Sequence, residues 1–306
     1  MTNYHIPVLY QQSIDALDID PNGTYVDVTF GGGGHSKGIL EYLKNGRLIG
    51  FDRDADATEN GIDDERFTLV HHDYRWISNF LDFNTSVPVH GILADLGVSS
   101  HQFDTAERGF SFRQDTAIDM RMDNDIEQTA SDVLNSYSQA QLQSIFTIYG
   151  EIKNARTLAL AVVSQRNSKK FVTINDLITV CEQVMRKSDK RNKYLSQVFQ
   201  ALRIEVNQEL KSLEVLLEQS ASIIKPNGRL VVITYHSLED RLVKNFIAKG
   251  NLHGKEEKDL YGNTIKPFDA LNRKPILPTE AEIAENPRAR SAKLRIAVRR
   301  DEPGKE

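Results

Sequence analysis

Short β-rich segments alternate with helical segments through the first third of the chain. Strands are expected at residues 24–30, 47–51, 67–71 and 91–96, and a helix at 34–43 follows the first strand. Each of these strands is apolar enough to be buried on both faces. This alternation is typical of a parallel sheet with helices on both faces, so we expect a doubly wound, mostly parallel α/β fold of the Rossmann-like kind.

A long segment without strand character follows the fourth strand. The next strand is expected at residues 229–234, after the turn signal Lys225-Pro226-Asn227-Gly228. Helix starts are indicated by Ser138 with Gln141 and by Thr173 with Asp176. No single crossover is that long, so we predict an inserted all-helical subdomain at 113–207. The sheet domain then comprises 1–112 and 208–306, with a helix at 208–224 and a last strand at 293–299.

Composition excludes several classes of protein. The 306 residues include one cysteine, Cys181, so no intrachain disulfide can form and a reducing compartment is expected. The amino terminus lacks the pattern of a signal peptide, and the apolar runs are too short to cross a bilayer, so we expect a cytoplasmic protein. The net charge of −5 argues against nonspecific coating of nucleic acid, so any RNA site must be a local basic patch.

The end of the first predicted strand points to a nucleoside cofactor. Gly31-Gly32-Gly33-Gly34 follows this strand, and such glycines let the backbone approach a ligand closely. Asp52 ends the second strand, where an acidic side chain can accept hydrogen bonds from both ribose hydroxyls. The alternative is that the glycines form only a tight connection and that Asp52 only caps a helix starting near Asp54.

Two features favour a cationic cofactor over a dinucleotide. The dinucleotide pattern GxGxxG is not completed, because the third glycine position is Ser36 or Lys37. Acidic residues stand at or near the ends of four successive strands, and a cluster of carboxylates suits a positively charged ligand such as a sulfonium. These residues are Asp27, Asp52, Asp73 and Asp95.

Three further motifs carry less weight, and no metal site is predicted. Residues 52–56 imitate the start of a calcium loop, but the glycine that such a loop requires is replaced by Ala57. His71, His72 and Asp73 are better read as a strand-end turn, because adjacent strand residues point to opposite faces. Residues 97–101 resemble a nucleophile elbow, whose last glycine is missing.

Seven segments of the sequence, in order, resemble one family nearly end to end. They are HIPVL (5–9), TFGGGGHS (29–36), DLGVSS (95–100), ERGFSF (107–112), DMRMD (119–123), HSLEDR (236–241) and NPRARSAKLR (286–295). The chain thereby resembles the bacterial 16S ribosomal RNA (cytosine-N4)-methyltransferases, the RsmH or MraW family. Tyr235 is a departure, since phenylalanine is common before the histidine; residues 167–193 match only loosely.

The resemblance implies a class I methyltransferase fold, S-adenosyl-L-methionine as cofactor and 16S ribosomal RNA, in the small ribosomal subunit or its precursor, as partner. It implies that Gly33, Gly34 and His35 line the methionine end of the cofactor and that Asp52 holds its ribose. It further implies that Tyr74 lies against the adenine region. Asp95 and Gln102 would complete the cofactor site.

Asp95 is also the candidate catalytic residue. Cytosine N4 is a poor nucleophile, so a group must accept an amine hydrogen while the nitrogen attacks the methyl group. Asp95 follows the fourth strand, at the edge where ligands of such sheets bind. A role in cofactor binding alone stays open. The base must leave any stack or pair before it can react.

Basic residues are candidates for contacts to RNA phosphates. They are Arg108, Arg113, Arg121, Arg241, the cluster 186–193 and the tail residues Arg288, Arg290, Lys293 and Arg295. The inserted helices are expected to help admit and orient the base. A nicotinamide-dependent oxidoreductase, a noncatalytic RNA-binding module and a methyltransferase for another position or for DNA remain alternatives. Whether the chain forms a homodimer is left open.

Overall fold

The computed structural model describes residues 7–84 and 86–301. The chain forms two compact units, Met1–Gly97 with Leu210–Glu306 and Val98–Glu209. The second unit extends beyond the predicted bounds of the inserted subdomain, 113–207, at both ends. Two residues of the first family segment, His5 and Ile6, lie outside the described residues.

The first unit is built on a seven-stranded sheet within the described part of the chain. Its strands are β1 (Thr24–Asp27), β2 (Arg47–Asp52), β3 (Phe67–His71), β4 (Val89–Asp95), β5 (Ile224–Thr234), β6 (Phe268–Ala270) and β7 (Lys293–Arg299). Their order across the sheet is β3-β2-β1-β4-β5-β7-β6. The first five are parallel and β7 is antiparallel to both neighbours. The predicted fold class, a mostly parallel, doubly wound Rossmann-like sheet, is confirmed.

Alternating strand residues supply two separate hydrophobic cores, one on each face of this sheet. On β4, Ile92 and Ala94 belong to one core and Leu93 belongs to the other. β5 alternates in the same way. The prediction of burial on both faces is wrong for β3, where Val70 alone is fully buried. β3 is an edge strand, so helices and neighbouring strands cover less of it.

The helices of this unit flank the sheet. They are α1 (Tyr10–Leu17), α2 (Gly34–Tyr42) and α3 (Ile77–Phe83), and after the second unit α10 (Glu209–Ile223, one residue of which belongs to that unit), α11 (Ser237–Lys249) and α12 (Glu280–Glu285). α10 packs in the core with Leu213, Leu216 and Leu217, and α2 packs in the opposite core with Ile39 and Leu40. Helices on both faces make the sheet doubly wound.

The second unit is helical, with its own hydrophobic core. Its helices are α4 (Ser100–Asp104), α5 (Ala130–Ser136), α6 (Gln139–Ile148), α7 (Ala155–Ser168), α8 (Ile174–Val184) and α9 (Arg191–Asn207). The predicted start at Ser138 is confirmed by a capping box with Gln141. At the other predicted start, Asp176 accepts a hydrogen bond from the backbone N–H of Thr173 at 3.0 Å. These side chains satisfy backbone donors that a helix leaves unpaired.

Strand bounds differ from the sequence expectation mainly where a strand has an irregularity. β5 begins at Ile224, because residues 225–228 form a register shift within the strand instead of a turn before it. β1 ends at Asp27, three residues before its predicted end. β6 was not predicted, since its three residues are too short to show a periodic pattern. In the described ranges, no helix is both long and apolar enough to cross a membrane.

Candidate active site

The strand order reverses between β1 and β4, and ligands of open α/β sheets bind beside such a switch point at the carboxyl ends of the strands. β1 ends at Asp27, β2 at Asp52 and β4 at Asp95. Because these strands are parallel and adjacent, the three carboxyl groups lie at the same edge of the sheet. This edge is the candidate active site.

The glycine bend connects β1 to α2 at this edge. Gly33 has a φ of 73°, in the left-handed region that favours glycine, and it precedes the first residue of α2. A Cβ at Gly34 would lie 2.4 Å from the ring of Pro7. A Cβ at Gly32, in contrast, would have no neighbour within 4 Å. Gly31 also has a left-handed backbone, with a φ of 52°, so the bend has one position that faces open space and three at which the protein itself favours glycine.

Asp52 holds the glycine bend in place. Its Oδ2 accepts the backbone N–H of Gly31 at 2.7 Å, and its Oδ1 accepts the N–H of Asp54 at 2.9 Å. The hydrogen bond to Asp54 is the contact expected from the alternative interpretation, in which Asp52 caps a helix starting near Asp54. Each carboxylate oxygen has two lone pairs, so both oxygens retain capacity for ribose hydroxyls. Burial raises the pKa of Asp52, against the lowering effect of the two N–H donors.

Asp27 lies beneath the bend and is fully buried, with 1 % of its surface exposed. The Ser36 hydroxyl donates to Asp27 Oδ2 at 2.7 Å, and the backbone N–H of Thr29 donates to Oδ1 at 3.2 Å. Burial raises the pKa of Asp27 to about 6 despite these donors. No Lys or Arg forms an ion pair with Asp27, Asp52 or Asp95 in the described part of the chain. These three acids therefore lack a close Lys or Arg ion pair in the described residues, although the charge of Arg53 acts to lower the pKa of Asp52.

Asp95 ends β4 and faces two side chains from neighbouring elements. The Tyr235 hydroxyl donates to Asp95 Oδ1 at 2.7 Å, and His35 Nδ1 lies 3.8 Å from Asp95 Oδ2. The backbone N–H of Asp95 donates to Thr29 Oγ1 at 2.7 Å, which fixes the end of β4 against the chain leaving β1. Burial raises the pKa of Asp95 to about 7, and the charges of Asp27 and Glu239 add to the increase.

His35 is the second residue of α2 and is a neutral neighbour of Asp95. Burial lowers the pKa of its imidazole to about 4, so the ring carries no charge at neutral pH. The ring stacks with Tyr10 at a centroid distance of 6.0 Å. The sequence grouped His35 with Asp95, and the structure brings the two side chains together.

The fourth strand-end acid, Asp73, does not share this character. It follows β3 and forms ion pairs with Arg53 and with Arg75, whose Nη2 lies 2.9 Å from Asp73 Oδ2, and it accepts the Ser212 hydroxyl at 3.1 Å. Burial acts to raise the pKa of Asp73, but the two guanidinium groups outweigh it and lower the pKa. Asp73 lies near a strand end as predicted, but its charge is neutralised within the protein, so it is less available to a cationic ligand than the other three acids.

Tyr74 and Gln102, which the family resemblance assigns to the cofactor site, do not lie at the ends of β1, β2 or β4. Tyr74 begins a short 3₁₀ helix after β3, and its ring packs partly buried against the hydrophobic core. Gln102 belongs to the helical unit, where it is buried and completes a capping box with Ser99. Their assignments to the adenine region and to the cofactor site stay predictions.

Several basic residues that were candidates for phosphate contacts form internal interactions. Arg108 donates to the carbonyl groups of Arg121 and Met122, and Arg121 pairs with Asp119. In the tail, Lys293 and Arg295 both pair with Asp240. The exposed members of the set are Arg113, Arg241, Arg288, Arg290 and every basic residue of the cluster 186–193, namely Arg186, Lys187, Lys190, Arg191 and Lys193. Exposure makes these residues better candidates for RNA contacts.

Sequence reasoning did not select Tyr235 or Ser36 as site residues. A usable signal for Tyr235 existed, because it directly follows β5 and β5 is the parallel neighbour of β4. Ser36 lies one residue beyond His35 in a family segment, but its contact with Asp27 depends on how α2 is oriented. Neither contact follows from spacing along the chain.

Comparison with known proteins gives a consistent result. The model of the MraW methylase family matches residues 2–300. A ribosomal RNA small subunit methyltransferase H of Bacteroides thetaiotaomicron is 52% identical, covering 97% of this chain and 98% of the relative. The protein of the same name from Cytophaga hutchinsonii is 54% identical, covering 97% and 99%. Among solved structures, a putative rRNA methylase from Clostridium thermocellum aligns over 96% of this chain and 99% of its own, with a TM-score of 0.46 and 13% identity.

Proposed function

Because the chain belongs to the MraW methylase family, we propose that it transfers a methyl group from S-adenosyl-L-methionine to N4 of a cytidine in 16S ribosomal RNA. Relatives that match nearly the whole chain are named ribosomal RNA small subunit methyltransferases, which supports the substrate class. The partner is 16S ribosomal RNA in the small subunit or its precursor, and the enzyme acts in the cytoplasm.

The observation that carries the proposal is the set of carboxyl groups at the switch point. Asp27, Asp52 and Asp95 are close together, and no cationic side chain pairs with any of them in the described residues. A positive charge beside such buried acids favours their ionised form. A sulfonium cofactor supplies that charge together with an electrophilic methyl group, so the chemistry of the residues fits it.

Within this arrangement each residue has a distinct task. The glycine bend would lie along the methionine end of the cofactor, with Gly33, Gly34 and His35, and Asp52 would accept the ribose hydroxyls. Asp95 Oδ2 would accept a hydrogen of the amine, since its Oδ1 already accepts the Tyr235 hydroxyl. Tyr74 and Gln102 would complete the cofactor site. Holding the amine and the methyl group in line contributes roughly 7–11 kcal/mol in favourable cases.

The helical unit is proposed to admit and orient the base. It has its own core and is built from helices α4 to α9, whereas the switch-point carboxylates belong to the sheet unit. A cytidine must be unpaired or flipped before its amine can react, so a second surface is needed to hold the RNA around it. The exposed residues Arg113, Arg241, Arg288 and Arg290, together with the exposed basic residues of the cluster 186–193, are the proposed phosphate contacts.

Methyl transfer tests this function directly. Small-subunit particles from cells lacking the enzyme are incubated with the protein and methyl-labelled S-adenosyl-L-methionine, and the RNA is digested to nucleosides. We expect labelled N4-methylcytidine, and no label with Asp95→Asn. Absence of label with the unmodified protein would favour a noncatalytic RNA-binding module, and label on another nucleoside would overturn the choice of N4. Calorimetry that detects NAD but not S-adenosyl-L-methionine would favour an oxidoreductase.

A further inference from the structure

Tyr235 is the only side chain that donates a hydrogen bond to the Asp95 carboxyl group in the described ranges. We propose that Tyr235 is a positioning residue for methyl transfer: its hydroxyl holds Asp95 Oδ1 and stabilises the ionised carboxylate, which leaves Oδ2 to accept the amine hydrogen. This inference rests on the proposed function, because it concerns how Asp95 acts in that reaction.

The position of Tyr235 follows from the sheet. Asp95 on β4 pairs with Ile233 on β5, and Tyr235 is the first residue after β5. Its backbone N–H donates to Glu239 Oε2 at 2.9 Å, which ties it to the first turn of α11. A Cβ at Gly97 would lie 3.5 Å from the tyrosine ring, so the chain leaving β4 passes close beside it. Strand, helix and loop together fix the ring next to Asp95.

The contact between the two side chains is a hydrogen bond of ordinary length. The Tyr235 hydroxyl oxygen lies 2.7 Å from Asp95 Oδ1. Asp95 Oδ2 is 3.8 Å from His35 Nδ1, beyond hydrogen-bond distance. Oδ1 therefore already accepts one donor, whereas Oδ2 has no donor within hydrogen-bond distance among the described residues and is the oxygen proposed to meet the substrate.

The charged surroundings make this single donor important. The titratable groups that face Asp95 and Tyr235 are Asp27 from β1, His35 from α2, Glu239 from α11 and Glu282 from α12. Three of these are acids and His35 is neutral. Burial and the acids raise the pKa of Tyr235 well above its usual value, so the hydroxyl remains a donor. The same conditions raise the pKa of Asp95, and the Tyr235 hydrogen bond opposes that increase.

The proposed step balances with Asp95 as the proton acceptor. The lone pair of N4 forms the new bond to the methyl carbon, and the electron pair of the breaking carbon–sulfur bond remains on sulfur as a neutral thioether. One proton leaves N4 for Asp95 Oδ2. The Tyr235 hydroxyl keeps its own proton throughout, so Tyr235 acts through Asp95 and does not contact the reacting atoms.

Tyr235→Phe removes the hydroxyl and keeps the ring. We expect the acidic limb of the pH profile of kcat/KM to move upward by about 1–2 pH units, because a hydrogen bond to a charged group typically contributes that much. Activity should fall several-fold at neutral pH and recover towards the unmodified enzyme at high pH. The dissociation constant for S-adenosyl-L-methionine at high pH, measured by calorimetry, should stay unchanged, since there the carboxylate is ionised in both proteins.

Tyr25→Phe is the matched control. Tyr25 is buried in the same unit, and its hydroxyl accepts the backbone N–H of Asp20 at 2.7 Å instead of contacting Asp95. This variant should leave the pH profile in place. If Tyr235→Phe shows the same pH limb as the unmodified enzyme, the role of Tyr235 is wrong.

The Asp95→Asn variant distinguishes an error in the role of Tyr235 from an error in the proposed function. Loss of transfer in Asp95→Asn together with an unmoved limb in Tyr235→Phe would reject only the role of Tyr235. Full transfer by Asp95→Asn would reject the role of Asp95 and with it the inference. If Asp95→Asn retains measurable activity, adding Tyr235→Phe should not move the acidic limb of the pH profile further. No carboxyl group would remain whose pKa the Tyr235 hydroxyl could lower.

Discussion

The ends of β3 and β4 present the same kind of side chain in opposite electrostatic settings. Asp73 follows β3 and pairs with Arg53 and Arg75, and these partners lower its pKa. Asp95 ends β4 and receives one hydrogen bond from a neutral tyrosine, and burial raises its pKa to about 7. Both are acids at the same edge of the sheet, but only Asp95 lacks a cation.

This difference shows what strand position can and cannot specify. A residue at the carboxyl end of a parallel strand is placed at the ligand-binding edge. Whether its charge is available to a ligand depends on side chains that reach it from elsewhere. Arg53 and Arg75 use Asp73 to join the ends of β2 and β3 to Ser212 on α10. Asp95 forms no ion pair with an arginine in the described residues.

The largest expected effect is on catalysis by Asp95→Asn. The variant keeps an acceptor for the Tyr235 hydroxyl but cannot take a proton from the amine. We expect kcat/KM for methyl transfer to fall by about 10²–10⁴-fold, the usual range for loss of a general base. The matched change Asp73→Asn should leave the rate within a few-fold. Equal losses in both variants would show that the two strand ends do not differ in function.

The stability of the cofactor-free protein should respond to Asp95→Asn in the opposite direction. A carboxyl group whose folded-state pKa is raised to about 7 destabilises the fold as pH rises from about 4 to 7. Asp95→Asn should therefore increase the free energy of unfolding at pH 8 by up to about 4 kcal/mol. Near pH 4 the gain should vanish. Urea unfolding at both pH values measures the difference; a variant that is less stable at pH 8 would contradict the assignment.

Asp73→Asn should destabilise the protein. Two partly buried guanidinium groups would lose their counterion, which costs about 2–3 kcal/mol after allowing for their partial exposure. Because the folded-state pKa of Asp73 is lowered, its contribution is complete above the unfolded pKa of about 3.9 and is lost as pH falls below it. The gap between the variant and the unmodified protein in urea unfolding should thus be constant at neutral pH and shrink in acid.

Asp52→Ala tests the acid that contacts the protein backbone and is also proposed to bind the cofactor. Its oxygens hold Gly31 and Asp54 and are also proposed to accept ribose hydroxyls. We expect the free energy of binding S-adenosyl-L-methionine to weaken by roughly 1–3 kcal/mol, measured by calorimetry. Adenosine-free fragments of the cofactor provide the control, since their binding should change less. A dissociation constant that does not change would contradict the ribose assignment.

The sequence predicted most of the sheet because its signals are local. β3 and β7 have the predicted bounds, and β2 and α2 differ by one residue at one end. Strand periodicity, glycines and helix caps depend on a few neighbouring residues, so they can be recognised in the sequence. The first residue of β5 was missed because residues 225–228, which look like a turn, are accommodated as an irregularity between paired segments.

The candidate site was predicted less completely because its chemistry depends on contacts across the sheet. Asp27, Asp52 and Asp95 were found from their positions at strand ends. The neutralisation of Asp73 requires Arg75 to fold back from the 3₁₀ helix after β3 and Ser212 to arrive from α10. The donor to Asp95 comes from Tyr235, 140 residues away along the chain. No spacing rule joins such residues before the fold is known.

The glycines of the bend are expected to differ in how well the fold tolerates alanine in their place. At Gly32 the backbone is ordinary for an L-amino acid and a methyl group would meet no protein atom within 4 Å. Folding alone would thus tolerate alanine there, whereas Gly33 needs its left-handed backbone and Gly34 adjoins Pro7. An alanine methyl group at position 32 would therefore project into the open space beside the bend, where it would meet a bound ligand instead of the protein.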